Sequence, residues 1–183
     1  MRVEAAAAAS GVSVVWKPFL LGAVFKALGW SEAPFIQQKE KGVYMWKDLA
    51  RQCEKYGLPW RRPDVFPRLA PLPLRVALLG EKEPWIGAFC RGIMALHFAS
   101  ERDVDINSES AVASVLDILG LPAANLIGQA KSPQAKQALK DQTETARKRG
   151  VFGAPTFFVA GEMFWGNDRL DDVLAFAARR GGA

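Results

Sequence analysis

Few residues in this 183-residue chain are of types that could do chemistry, and the densest group lies near the carboxyl end, in G-V-F-G-A-P-T-F-F-V-A-G-E-M-F-W-G-N-D-R at residues 150–169. Ala154-Pro155 stands at the mouth of a β-prone run. A proline there donates nothing to a strand ladder and leaves the preceding carbonyl and nearby backbone groups free for a peptide-like ligand. Asn167 and Asp168 stand where Leu170, Val173, Leu174 and Phe176 open an apolar stripe at helical spacing, so either can cap a helix. Cys53 and Cys90 are too far apart in sequence for a C-x-x-C redox pair or a zinc cluster. Each falls in a helical pattern, where a buried thiol behaves as a small apolar residue. His97, the single histidine, lies in an apolar helical run and reads as a structural, partly buried residue rather than a catalytic base.

The elements that must position these residues follow from local pattern. Residues 156–159 and 163–165 are β-prone and joined by Ala160-Gly161, which predicts a hairpin. Residues 1–9 favour helix, ended by Ser10-Gly11, and V-S-V-V-W at 12–16 predicts a buried strand stopped by Pro18. Residues 19–28 and 39–56 are helix-compatible. The stretch 58–73 carries Pro59, Pro63, Pro67, Pro71 and Pro73, so it reads as an extended loop presenting Trp60, Arg61 and Arg62. Helices are expected near 74–79, 84–100, 108–119 and 133–149, with a shorter turn at 123–128. Ser132-Pro133 supplies a cap and a first-turn proline, and Asn107 or Ser108 caps the helix before it.

Composition narrows the class. At 50% hydrophobic the chain can bury a sizeable core, and its net charge of +5 is spread without a long basic run or a nucleic-acid motif. A small anionic substrate accounts for that excess as well as RNA does, and so does solubility alone. No stretch approaches the roughly 18 apolar residues of a membrane span. Glu4 and the lack of a Leu-rich run argue against a signal peptide, and a reducing cytoplasm fits the cysteine usage. Neither nucleic acid nor membrane is expected as a partner.

Three separated blocks carry a family resemblance over nearly the whole chain: W-K-P-F-L-L-G-A-V-F-K at 16–26, K-G-V-Y-M at 41–45 followed by Asp48-Leu49, and the proline-strand-turn-strand-G-N-D-R block at 155–169. Together they resemble the DsbA-like thioredoxin superfamily, nearest its 2-hydroxychromene-2-carboxylate isomerases and kappa-class glutathione transferases. The resemblance implies an α/β fold, a thioredoxin-like mixed sheet interrupted by an all-helical insertion. The discontinuous thioredoxin-like part would be residues 1–30 and 150–183, and the helical subdomain with its connecting helices 31–149. The first strand of that sheet is expected to be missing from the chain.

The resemblance also implies glutathione as cofactor. Ala154, ahead of a cis Pro155, would pair its backbone with the cysteinyl part. Asn167 and Asp168 would hold the γ-glutamyl end, and Lys41 the glycyl carboxylate. The family's activating serine, at the amino end of a helix whose dipole favours a thiolate, has no counterpart here and is expected upstream of Met1, which would impair activity. The implied reaction is isomerisation of a small aromatic carboxylate in aromatic degradation, by a homodimer, with Phe19, Trp30, Tyr44 and Trp60 bounding the ring. In the family an asparagine tends to stand where this chain has Trp30. Alternatives are a kappa-type transferase or peroxidase, a disulfide oxidoreductase whose motif lies upstream, and a non-catalytic glutathione- or peptide-binding protein.

Overall fold

The first helix, α1 (Val3–Ala9), ends on Ser10 with Gly11 at φ 67°, and Val12 N–H closes back onto the Ala7 carbonyl at 2.9 Å. That closure satisfies carbonyls the helix end leaves open and needs a residue free of a Cβ penalty at positive φ. The computed structural model describes residues 2–181. Along them follow α2 (Leu21–Ala27), α3 (Pro34–Gln37), α4 (Lys39–Lys55), α5 (Pro71–Leu79), α6 (Ile86–Phe98), α7 (Glu109–Ile118), α8 (Ala123–Lys131) and α9 (Pro133–Lys148). A hairpin of β1 (Thr156–Val159) and β2 (Glu162–Trp165), a 3-10 turn (Asn167–Arg169) and α10 (Leu170–Gly181) complete them.

The hairpin is antiparallel, with Thr156 opposite Trp165 and Val159 opposite Glu162. Its two-residue turn has φ 49° at Ala160 and 90° at Gly161, and positive values at both positions match the right-handed twist of the flanking strands. The residues 12–16 expected as a strand are not one. They alternate as a strand would, with Val12, Val14 and Trp16 half-buried and Ser13 and Val15 exposed, but they pair with no strand among the described residues. A strand needs a neighbour for its backbone; this segment is held instead by side chains, with Trp16 Nε1 donating to Glu4 at 3.3 Å and Val12 and Val14 packed against Ala7, Leu170 and Leu174, and by ties just beyond its carboxyl end. Lys17 pairs with Glu81, and Leu20 N–H donates to the buried Thr143 hydroxyl at 3.0 Å, which itself donates to the Leu139 carbonyl at 2.7 Å. The sheet therefore shows the hairpin part of the expected mixed sheet.

Two further expectations shift. The proline-rich loop ends at Ala70, because Pro71 and Pro73 sit in the first turn of α5, where a missing N–H costs nothing. The Leu72 N–H there is satisfied from across the fold by the Asn107 side chain at 2.9 Å, so Asn107 serves α5 while Ser108 caps α7. Residues 123–131 form a full helix rather than a turn. The main core lies among α5 to α8, around Leu72, Val76, Phe89, Val112 and Leu116. A second cluster of Ala7, Leu170 and Leu174, flanked by Val12, Val14 and Phe157, packs α1 and the extended segment against α10 and β1.

Candidate functional site

The stretch ahead of β1 is shaped by what its glycines leave out. The Trp165 indole lies on the Gly153 backbone, where a Cβ would collide with it, and its ring packs on Phe152 at a centroid distance of 5.0 Å. Thr156 Oγ1 donates to the Gly153 carbonyl at 2.7 Å, and Gly166 N–H donates to the Pro155 carbonyl at 3.0 Å. The Ala154-Pro155 peptide between these ties is cis. Ala154 is exposed, and among the described residues its own N–H and C=O make no hydrogen bond. A peptide edge is thus held in place on both sides and left open in the middle.

Gly166 also brings in the acidic residue. It sits at φ 112°, and a Cβ on it would occupy the place of Asp168 Oδ1. The Asp168 carboxylate therefore lies over the backbone that bonds to Pro155. Among the described residues no side chain caps the 3-10 turn, and Asp168 bonds only to Arg169, at 3.2 Å, which Asp172 also holds at 3.0 Å. The hydrogen bond that Arg169 donates to Asp172, followed by the charges of Asp168 and Asp172, secures the positive charge of Arg169. Because one guanidinium is shared between two carboxylates, Asp168 keeps acceptor capacity facing solvent. Arg2 braces the other side, donating to the Asn167 carbonyl at 3.3 Å and to Asp171 at 3.2 Å while its guanidinium lies over the Tyr56 ring at 4.8 Å.

Ala154, Pro155, Asn167 and Asp168 are therefore one group of neighbours. Lys41 is exposed in the first turn of α4, whose other end is followed by Tyr56, the residue tied to this group through Arg2. Of the aromatic candidates, Trp30 stacks on Phe25 at 5.9 Å and its N–H closes the end of α2, which is a capping role. Phe19 is half-buried at the end of the extended segment and Tyr44 is exposed on α4. Trp60 stacks between Trp46 and Phe98, at 5.9 Å from each.

That last contact leads to a feature the sequence reading did not find. An open cavity of about 940 Å³ is lined by Phe35 of α3, by Lys39, Gly42, Trp46 and Lys47 of α4, and by Arg62, Asp64 and Phe66 of the following loop. The signals in the sequence are the aromatic and basic residues that the proline-rich loop presents, Arg62 among them, and the sharing of one helix face by 39, 42, 43, 46 and 47. Their mixed character hides that face from a search for apolar periodicity.

Among the described residues elsewhere, neither the cysteines nor the histidine supplies a nucleophile. Burial, then the Glu4 charge, against the opposing Arg91, pushes the Cys90 thiol up to about 11, and burial also raises Cys53. Both thiols stay protonated at neutral pH. His97 is buried, with Nδ1 lacking a partner, and burial together with the Arg68 charge lowers its pKa against the pull of Asp103. It is a neutral core residue, packed on Phe66 and Phe98. Among the described residues no cluster of potential metal ligands occurs, and no helix is long and apolar enough to cross a membrane.

Comparison with known proteins agrees with this architecture. The family model of the DSBA-like thioredoxin domain matches residues 1–176. A 2-hydroxychromene-2-carboxylate isomerase of Sphingobium xenophagum is 37% identical over 132 residues, which is 72% of this chain and 66% of that protein. One of Pseudomonas putida is 32% identical over 142 residues, 72% of this chain and 63% of that protein. The chain thus spans about two thirds of the length of these curated relatives. Glutathione s-transferase kappa 2 of Caenorhabditis elegans is 28% identical over 177 residues, 88% of this chain and 77% of that protein. A solved structure of a 2-hydroxychromene-2-carboxylate isomerase superposes with a TM-score of 0.85 at 26% identity, covering 98% of this chain and 86% of that one.

Proposed function

The chain belongs to the DSBA-like thioredoxin-domain family, and from that premise we propose that it is a glutathione-dependent isomerase of the 2-hydroxychromene-2-carboxylate type, acting in the degradation of aromatic compounds. The observation that carries the glutathione part is the open peptide edge of Ala154 beside the uncapped carboxylate of Asp168. The fit to the tripeptide is chemical. An exposed backbone N–H and C=O suit a cysteinyl residue laid alongside as an added strand, and a carboxylate suits the γ-glutamyl ammonium. When bound, glutathione supplies a soft thiol nucleophile able to add reversibly to an electron-poor double bond. The residues of this chain orient it: Ala154 fixes the cysteinyl backbone, Pro155 keeps the edge open, and Asn167 and Asp168 hold the amino end. Lys41 remains the proposed partner of the glycyl carboxylate.

The test is the absorbance change of 2-hydroxychromene-2-carboxylate with and without reduced glutathione. A rate that rises saturably with glutathione supports the reading; the same rate in its presence and absence contradicts it. A kappa-type transferase is the second reading, favoured by the length of the match to the Caenorhabditis elegans protein. Conjugation of glutathione to 1-chloro-2,4-dinitrobenzene, faster than the isomerisation, would favour it.

A further inference from the structure

The cavity between α3, the amino half of α4 and residues 62–66 has walls and charges that select a ligand class. Its walls are aromatic: Phe66 packs against Phe35 at 5.2 Å and against Trp46, edge to face, at 4.8 Å. Trp60 and Phe98 stack behind them, so the faces are fixed from the rear. Pro63, next to Arg62 in the same loop, is buried. The Arg62 guanidinium lies over the Trp46 ring at 4.7 Å and so is held at the cavity rather than free to swing through solvent.

The charges around this cavity do not balance. Lys39, Lys47 and Arg62 line it, and among the described residues none of the three is in an ion pair. The acidic lining residue, Asp64, is already taken: Arg61 holds both its oxygens at 2.9 Å, and its N–H donates to Asp103 at 3.2 Å. Lys39 also stands in the first turn of α4, where the helix dipole is positive and a cation is disfavoured unless an anion is near. A volume of about 940 Å³ is at the roomy end of small-molecule sites, ample for two fused rings and a carboxylate.

We propose that this cavity binds a planar aromatic anion, its ring against Trp46 and Phe66 and its carboxylate or sulfonate between Arg62, Lys39 and Lys47. Such a ligand is of the same class as the substrate proposed above, but none of the residues lining the cavity belongs to the stretch 150–169, and the inference holds whether or not Ala154 and Asp168 take glutathione. The site would give the protein a second hold on aromatic acids.

The probe is 1-naphthoate, titrated by calorimetry into the whole chain. Saturable binding to one site is expected, with affinity reduced about tenfold in Arg62→Ala and about threefold in Lys47→Gln, as loss of a charge-assisted hydrogen bond and of a rim charge would give. Lys47 is exposed and among the described residues outside every ion pair, so its variant tests the charge without a threat to folding. The neutral 1-naphthylmethanol should bind at least about tenfold more weakly than the anion. Excess glutathione should leave naphthoate binding unchanged. Unsaturable binding, equal affinity for the neutral analogue, wild-type affinity in both variants, or displacement by glutathione would each overturn the proposal.

Discussion

Replacing Gly42 with alanine sets two effects of opposite sign against each other. Gly42 lies in the interior of α4, where alanine normally stabilises a helix by about 0.8–1.0 kcal/mol. Here a Cβ would come under 3.0 Å from the Phe35 carbonyl oxygen and 3.4 Å from its carbon. An ordinary carbon-oxygen contact needs about 3.3 Å, and the obstacle is backbone, which cannot rotate away. Overpacking of this kind costs about 1–3 kcal/mol, so the net change lies between roughly 0 and 2 kcal/mol destabilising once the propensity gain is subtracted. Relief means moving α3 away from α4, which parts Phe35 from Phe66 and opens the aromatic cavity. Urea denaturation followed by tryptophan fluorescence should show a lower midpoint at unchanged slope, and naphthoate affinity should fall with it. A stabilisation near 1 kcal/mol, the value for helix propensity alone, would refute the close approach of α3 and α4.

Two more outcomes follow from buried polar groups. Thr143→Val keeps the shape but removes the acceptor of Leu20 N–H and a donor to Leu139, at an expected cost of about 1–3 kcal/mol. Its thermal midpoint should drop by about 2–4 °C per kcal/mol for a chain of this size, and an unchanged midpoint would show that the extended segment is not anchored there. His97 has its pKa lowered from 6.5 by burial and by Arg68, so the folded state resists a proton that the unfolded chain accepts. Stability from this group is full above pH 6.5 and is lost as pH falls through the depressed folded value. His97→Phe should flatten that limb of a stability-pH profile measured by urea denaturation, and an identical limb would assign the acid sensitivity elsewhere.

Local chemistry made some elements readable. Ala160-Gly161 between β-prone runs marks a hairpin whose turn takes positive φ at both residues, and Ser132-Pro133 starts α9 with its hydroxyl accepting from Ala135 N–H at 3.1 Å. Gly166-Asn167-Asp168 was legible as a helix entry, and the structure adds that the glycine makes room for the Asp168 carboxylate. What stayed hidden depends on partners far along the chain. Residues 12–16 have the alternation of a strand, but strand formation is decided by a neighbour that their own sequence does not specify. Asn107 satisfies Leu72 rather than its own helix, a choice fixed by packing of α5 against the segment before α7. The Lys39-Gly42-Trp46 face of α4 looked like an ordinary mixed helix surface, because its meaning comes from Phe35 and Phe66 brought in from either side.

Calorimetric titration of reduced glutathione into the wild-type chain and into Asp168→Ala tests the hairpin cradle most directly. Saturable binding, weakened about tenfold by loss of the charged acceptor, is the expected result. Absence of binding, or the same affinity in both proteins, would contradict the assignment of Ala154 and Asp168 as the tripeptide's seat.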